Sequence, residues 1–505
     1  MEKLSLVELT AAAGANDGPG FPPPNAVKFG GVDPLGLRQL NFNLMDEVLP
    51  GLNNVARHIR PFVIVAWAWR RAIQLAQSRG LEKIPPDHLP NFVDRIEVIY
   101  AWSELLKSTK VDLPGRQALW RIFKEKKQYK FDGTGWKKLR DDRRYSTALS
   151  APINYGPGLK MLGWVERHPK YPGFLIPTEM AVPALDAFEA RMEKYLDHPV
   201  FKEFGAVTVT ADEALSWQKG WALDTVTQSE AKTMAGMLFG REAPKCRQLA
   251  GEMILRAVEY SSTADTDRLR RTMAGVPSKF TPSQKLQKTW KDFRTLQVRQ
   301  LFRLTLEALF YWMLGNLHDK PRGTDALVEA FIAELKPMNQ PKAEAWLKAM
   351  LPSGAGPTEL MKRIEEAMSA PASGDIVPAI GAGLAFCLEE PPPEEIRTER
   401  HERLPLSRAR AESEVQKDRS VQEFLRHVLE SWVLAQHVYW SVGRGLADAR
   451  AQVRVLLRLK VILDEGGWTL SPGLSRGRPP VPTADRLRTV VSLAQESGLI
   501  SKPSS

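Results

Sequence analysis

The chain has 505 residues, 43% of them hydrophobic and 26% charged, which excludes wholesale disorder and leaves material for more than one buried core. A formal net charge of +11 points toward a polyanionic partner such as DNA or RNA. Two cysteines alone, Cys246 and Cys387, exclude a disulfide framework or a clustered zinc site and fit a reducing, cytoplasmic compartment.

Taken in chain order, residues 1–29 read as a flexible leader, rich in Gly and Pro around Gly18 to Pro24. The leader carries Glu2 and Glu8 and lacks the apolar stretch of a signal peptide. An N-terminal helical region is expected over 30–110. Its first strong pattern, 59–76, is apolar almost all round (Phe62, Val65, Trp69, Ile73) and belongs inside a bundle. A second helix is expected over 89–107. The apolar runs 61–69 and 301–314 fall short of the roughly 20 residues that span a bilayer, so no membrane segment is expected.

The grammar changes over 111–200. A helix is expected over 117–127, a turn at Asp132-Gly133-Thr134-Gly135, and a helix ending near Leu162. Short strands are expected at Leu162-Gly163-Trp164-Val165-Glu166 and Phe174-Leu175-Ile176-Pro177-Thr178, with a helix over 184–195 after them. This order resembles the recognition-helix exit and wing of a winged helix-turn-helix, although Pro152 and Pro157 interrupt the presumed recognition helix. A central helical domain follows over 205–389. In its helix from Pro282, Trp290, Phe293, Leu301, Leu304, Ala308 and Tyr311 share one face, and Lys285, Lys288, Lys291, Arg299 and Arg303 the opposite one. Residues 390–416, opened by Pro391-Pro392-Pro393, read as a charged linker. A C-terminal helical domain is expected over 417–505, with a seam of Val421, Leu425, Val428, Trp432, Ala435 and Tyr439. It carries further cations (Arg444, Arg450, Arg454, Arg458, Lys460) and a Gly/Pro/Arg-rich loop over 472–482. The fold expected is mainly α, a multi-domain helical protein with an embedded winged-helix domain.

Catalytic patterns are scarce. No phosphate-binding Gly-x-x-x-x-Gly-Lys-Ser/Thr and no His-Glu-x-x-His zinc motif occurs. Gly381-Ala382-Gly383 has no strand before it, as a dinucleotide loop requires. His427 and His437 share a helix but are too far apart in sequence for a metal pair. Asp94 with Glu97, and Asp141 with Asp142, lack the lysine of a metal-dependent nuclease signature and read as solvated helix surface. No enzyme activity, cofactor or metal is expected.

Basic surface is the stronger signal. Arg116, Arg121, Lys124, Lys126, Lys127, Lys130, Lys137, Lys138, Arg140, Arg143 and Arg144 crowd one short span, interleaved with Trp120, Phe123, Tyr129, Phe131 and Trp136. Cations neutralise phosphates, while aromatics either stack on bases or pack a core. Lys285, Lys288 and Lys291 are a second candidate, with a solvated helix face as the plain alternative.

The opening combines Gly31-Val32-Asp33-Pro34-Leu35-Gly36, Leu49-Pro50-Gly51-Leu52-Asn53-Asn54-Val55, then Arg57, Arg60 and Pro61, leading into Ala66-Trp67-Ala68-Trp69. It resembles the N-terminal signature of uncharacterised bacterial proteins encoded beside helicases and phospholipase-D-like nucleases in phage-defence islands. Leu49 stands where that signature has an aromatic residue. The resemblance implies association with antiviral defence, not an activity. Arg57 and Arg60 are motif candidates for a phosphate or carboxylate, with a structural ion pair as the alternative. Together these readings point to a non-enzymatic DNA-binding or scaffold subunit of a defence complex that docks a helicase, nuclease or ATPase. The alternatives are a cryptic metal-dependent nuclease and a winged-helix adaptor or transcription regulator.

Overall fold

The computed structural model describes residues 33–143, 147–171, 173–274, 280–335, 340–370, 374–389, 404–452, 459–472 and 475–501, with the side chains of Leu81 and 444–452 left aside. The leader, Arg144, Pro172, the first part of the expected linker, Arg454 and Arg458 lie outside the described residues, as do the side chains of Arg444 and Arg450. The described fold is mainly helical, with three two-stranded antiparallel sheets. No helix among the described residues is long and apolar enough to cross a membrane. The chain divides into two compact units. One combines Met45–Leu269 with Ala484–Ser505 and is called here the Met45 unit; the other combines Met1–Leu44 with Arg270–Thr483 and is called the Arg270 unit.

Helix α1 (Arg38–Val48) leads into the Met45 unit. There α2 (Ile59–Ser78) packs against α3 (His88–Lys107). Every residue of α2 from Ile59 to Trp69 is buried, as the apolar run from Pro61 to Trp69 requires, and Arg60 is buried with them. Trp67 of α2 meets Phe188 and Phe201 edge-on, with ring centroids 5.3 and 6.0 Å away. Next come α4 (Arg116–Phe123), β1 (Gln128–Phe131), α5 (Thr134–Arg143), the six-residue α6 (Gly156–Met161), β2 (Val165–Arg167), β3 (Leu175–Pro177) and α7 (Val182–Met192). The short α8 (Pro199–Lys202) precedes β4 (Val207–Thr210), α9 (Ala211–Trp221), α10 (Gln228–Phe239) and α11 (Lys245–Ser261). Strand β1 was not expected from the sequence. It pairs antiparallel with β4, Lys130 opposite Thr208 and Gln128 opposite Thr210.

The expected strand-loop-strand is present: β2 and β3 pair antiparallel, Val165 opposite Pro177 and Arg167 opposite Leu175. One side of this hairpin rests on α2. The Trp164 ring at its start stacks on Phe62 at 6.0 Å, and Phe174 lies 6.3 Å from Trp69. Pro157 sits in the first turn of α6, where a missing N–H is harmless. It therefore opens that helix and does not break it.

Helix α12 (Thr266–Ala274) leads into the Arg270 unit, where α13 (Gln287–Asn316) is the longest helix. Around it stand α14 (Thr324–Glu334), α15 (Ala343–Met350), α16 (Pro357–Ser369) and α17 (Ile376–Glu389). Gly381 and Gly383 of α17 serve helix packing. A Cβ on Gly383 would come within 2.4 Å of Thr305 Oγ1 on α13, and one on Gly381 within 2.4 Å of Met350 Cε on α15. Residues 406–416, expected within a linker, form α18 (Leu406–Gln416), whose Leu406 and Ala409 are buried. The C-terminal seam forms α19 (Val421–His427), a π-helical segment (Val428–Leu434) and α20 (Ala435–Gln452). Val428 and Trp432 are buried, while Tyr439 is exposed. A hairpin of β5 (Val461–Asp464) and β6 (Gly467–Leu470) completes the unit, and the closing helix α21 (Leu487–Glu496) belongs to the Met45 unit.

Candidate nucleic-acid interface

The basic span folds into α4, β1 and α5 with Phe123, Phe131 and Trp136 buried and Trp120 and Tyr129 half-buried. Gly115 starts α4 at φ +73°, and a Cβ there would lie 2.3 Å from Thr147 Cβ, so this turn requires glycine. Leu119 and Phe123 are the buried residues of α4. In β1, Phe131 is buried and Tyr129 half-buried, while Gln128 and Lys130 are exposed. In α5, Trp136, Leu139 and Arg143 are buried on one stripe, and Lys137 and Lys138 face outward.

The aromatic rings form a ladder. Trp102 of α3 lies 4.9 Å from Phe123, which lies 5.0 Å from Tyr129. Tyr129 lies 5.0 Å from Phe131, which lies 5.0 Å from Trp136. These rings interleave with cations in sequence because strand alternation and helical period place neighbours on opposite faces. They are core, not a platform for bases.

What remains outside is mainly cationic, beside the exposed Ile122, Glu125, Asp141 and Asp142. Arg121, Lys124, Lys126, Lys127, Lys130, Lys137 and Lys138 are all exposed. Lys124 is 3.2 Å from Glu125, an exposed pair of little energetic weight, and Lys126 Nζ lies 5.8 Å from the Tyr129 ring centroid. The strand facing β1, Val-Thr-Val-Thr, brings no carboxylate beside Lys130.

Three members of the span are used internally. Arg116 donates to the carbonyls of Lys110 and Val111, at 2.9 and 2.7 Å. Arg140 donates from Nη1 to both oxygens of Asp87, at 2.9 and 3.0 Å, and from Nε to Asp94. Burial works against the Arg140 charge, but the bonds to Asp94 and then Asp87 hold its pKa above the usual value. Arg143 is buried 3.6 Å from Glu97, itself without exposed surface. Burial pushes the Glu97 carboxyl up to about 7 against the pull of Arg143, and burial likewise lowers the Arg143 pKa. Glu97 also accepts the backbone N–H groups of Leu149 and Ser150. Asp94 and Glu97, expected as solvated surface, are thus inward-facing partners of the basic span. Asp141 and Asp142 are exposed as expected.

The motif candidates also have structural partners. Arg57 bonds Asp112 at 3.1 Å and the Asn54 carbonyl at 3.2 Å. Arg60 is fully buried, pairs with Glu230, and donates to the Ala222 and Thr225 carbonyls. The second carboxylate oxygen of Glu230 accepts the Thr227 N–H, closing the capping box of α10. Arg60 has no surface to offer a phosphate.

In the Arg270 unit, Lys285, Lys288 and Lys291 are exposed, with Lys288 held 2.8 Å from Asp292. Arg299 and Arg303, expected on the same outward face, are buried, and Arg303 pairs with Glu307 at 2.6 Å. The basic face therefore ends after the first turns of α13.

The sequence also holds Gly473-Leu474-Ser475-Arg476-Gly477, which reads Gly-x-Ser-x-Gly. Gly473 and Leu474 lie outside the described residues. A nucleophile elbow needs a helix directly after the serine, and the next helix begins only at Leu487. Arg476 instead stacks over Tyr311, 3.7 Å from its ring centroid. Among the described residues no group of three or more His, Cys, Asp or Glu is placed to hold a metal ion.

No protein-family model, curated protein or solved structure matches this chain.

Proposed function

We propose that the Met45 unit holds nucleic acid by its phosphates, on the surface formed by α4, β1 and α5. The observation that carries this reading is the sorting of the basic span. Phe123, Tyr129, Phe131 and Trp136 form a ring ladder, Arg140 and Arg143 are spent on α3 carboxylates, and the lysines with Arg121 are left projecting to solvent. Lysine ammonium groups are point charges suited to phosphate oxygens, and the Phe123, Phe131 and Trp136 rings are buried away from any base. The expected binding is to duplex backbone, indifferent to sequence.

The hairpin β2–β3 would serve as the wing of a winged helix, with exposed Arg167 and Lys170 near its tip. The Met45 unit would hold DNA without cutting it, as the DNA-binding or scaffold part of an antiviral defence complex that docks a helicase, nuclease or ATPase. That wider role rests on the resemblance of the opening segment, and co-purification with such a neighbour tests it.

The direct test measures affinity for unrelated duplexes at several salt concentrations. If all the exposed cations of the span met phosphates, log affinity would fall against log salt with a slope of about −6. Binding that ignores salt, or none at micromolar protein, rejects the reading.

A further inference from the structure

Glu412, His427 and Ser431 form a continuous hydrogen-bonded chain in the Arg270 unit. Glu412 lies on α18, His427 is the last residue of α19, and Ser431 lies in the π-helical segment that follows. Glu412 Oε1 accepts from Arg408 Nε at 2.7 Å. Glu412 Oε2 accepts from Trp432 Nε1 at 2.7 Å and lies 3.0 Å from His427 Nε2. Burial works to raise the Glu412 pKa, but these donors, led by Trp432, hold it below the usual range. An ionised carboxylate can only accept, so Nε2 holds a proton, and in the neutral imidazole Nδ1 then presents its lone pair. Ser431 Oγ stands 3.4 Å from that nitrogen, within the looser range seen before a substrate draws such a pair together.

Three further features fit. Serines in helices commonly turn their hydroxyl back to a carbonyl of the preceding turn, whereas this one meets an imidazole. The backbone that presents it is π-helical, a rare geometry frequent at functional sites. Finally, the side chains of His427 and Glu412 keep 25% and 24% of their surface exposed, and Ser431 is half-buried, so the chain reaches solvent.

We propose that Ser431 is an activated nucleophile that accepts acyl groups from carboxylic esters, with His427 as its general base and Glu412 as the positioning residue. Ser431 Oγ attacks the ester carbonyl carbon as its proton passes to His427 Nδ1. The tetrahedral adduct collapses and expels the alcohol, which takes that proton, and an acyl-serine remains. Water, deprotonated by the same imidazole, releases the carboxylic acid, and the proton returns to Ser431. This activity is independent of the basic surface on the Met45 unit.

The test treats the full chain with a fluorophosphonate probe, whose fluoride Ser431 Oγ would displace, and with p-nitrophenyl acetate. Peptide mass spectrometry should place the phosphonate on Ser431, and Ser431→Ala should abolish both labelling and ester turnover. His427→Ala should slow labelling by about 100-fold, the lower end of general-base assistance. Free imidazole should restore part of the lost rate, which a merely structural histidine would not allow. Glu412→Ala should slow labelling, and Glu412→Gln, whose amide oxygen still accepts from Nε2, should recover part of it. If His427→Ala fails to fold, His427→Gln replaces it. No label on Ser431, or labelling unchanged when His427 is replaced, overturns the proposal and leaves the Ser431–His427 contact as an ordinary hydrogen bond between successive turns of one helical run.

Discussion

His58 Nδ1 sits 2.6 Å from Glu496 Oε1, so the residue before α2 is tied to the last residue of α21. The other Glu496 oxygen accepts the Ile59 N–H at 2.8 Å, and His58 Nε2 lies 3.5 Å from Asp112. Burial works to lower the His58 pKa, but Glu496, and less strongly Asp112, carry it above its usual 6.5.

A raised folded-state pKa means that folding favours protonated His58. Its stabilisation should be complete below pH 6.5 and vanish as pH rises through the folded value. Thermal melts from pH 5.5 to 8 should show midpoints falling across the upper part of this range, with His58→Gln flattening that fall. Glu97, pushed up to about 7 from 4.5, also makes stability fall with rising pH, but over a lower window. The difference between wild type and the His58 variant therefore isolates the histidine. A variant that tracks wild type throughout would remove His58 as the source.

Arg60→Ala should destabilise the protein severely. It leaves the fully buried Glu230 carboxylate without its guanidinium and strips the Ala222 and Thr225 carbonyls of a donor. Breaking one partner of a buried pair costs about 3–5 kcal/mol. Urea titration reads this as a lower midpoint at unchanged slope. A shift below about 1 kcal/mol would show that Arg60 does not hold α2 to the chain ahead of α10.

Lys126, Lys127, Lys137 and Lys138 all changed to Glu should leave the fold intact, since each is exposed. The salt slope of DNA binding should shrink by about 4, one for each lost phosphate contact. Arg140→Ala should behave in the opposite way, lowering stability through the loss of the partner of largely buried Asp94 while changing the salt slope little. Equal effects of the two variants on binding would contradict the sorting of the basic span.

Phe131→Ala should cost about 3–5 kcal/mol, because its ring is fully buried between Tyr129 and Trp136. Near-ultraviolet circular dichroism should report loss of the fixed aromatic environment. A mild effect would mean that β1 is not anchored through the ladder.

The helices of this protein were largely legible in its amino-acid order. The run from Pro61 to Trp69 has no polar residue, so it had to be an interior helix, and Trp136, Leu139 and Arg143 fall on one stripe by helical period alone. The hairpin of β2 and β3 was legible because its strands are short, local and separated by proline-rich loop. Strand β1 was not: four residues with modest alternation become a strand only when Val207–Thr210 supplies the backbone partners. Nor could the fate of the arginines be read. A charged residue defaults to the surface unless a carboxylate or carbonyl cluster meets it inside, and those partners come from remote chain: Asp94 and Glu97 for Arg140 and Arg143, Glu230 for Arg60. Sequence determined that this protein is helical and carries a crowded basic span. Tertiary structure alone decided which of those cations stay free in solvent, because only folding brings the anions that neutralise the others.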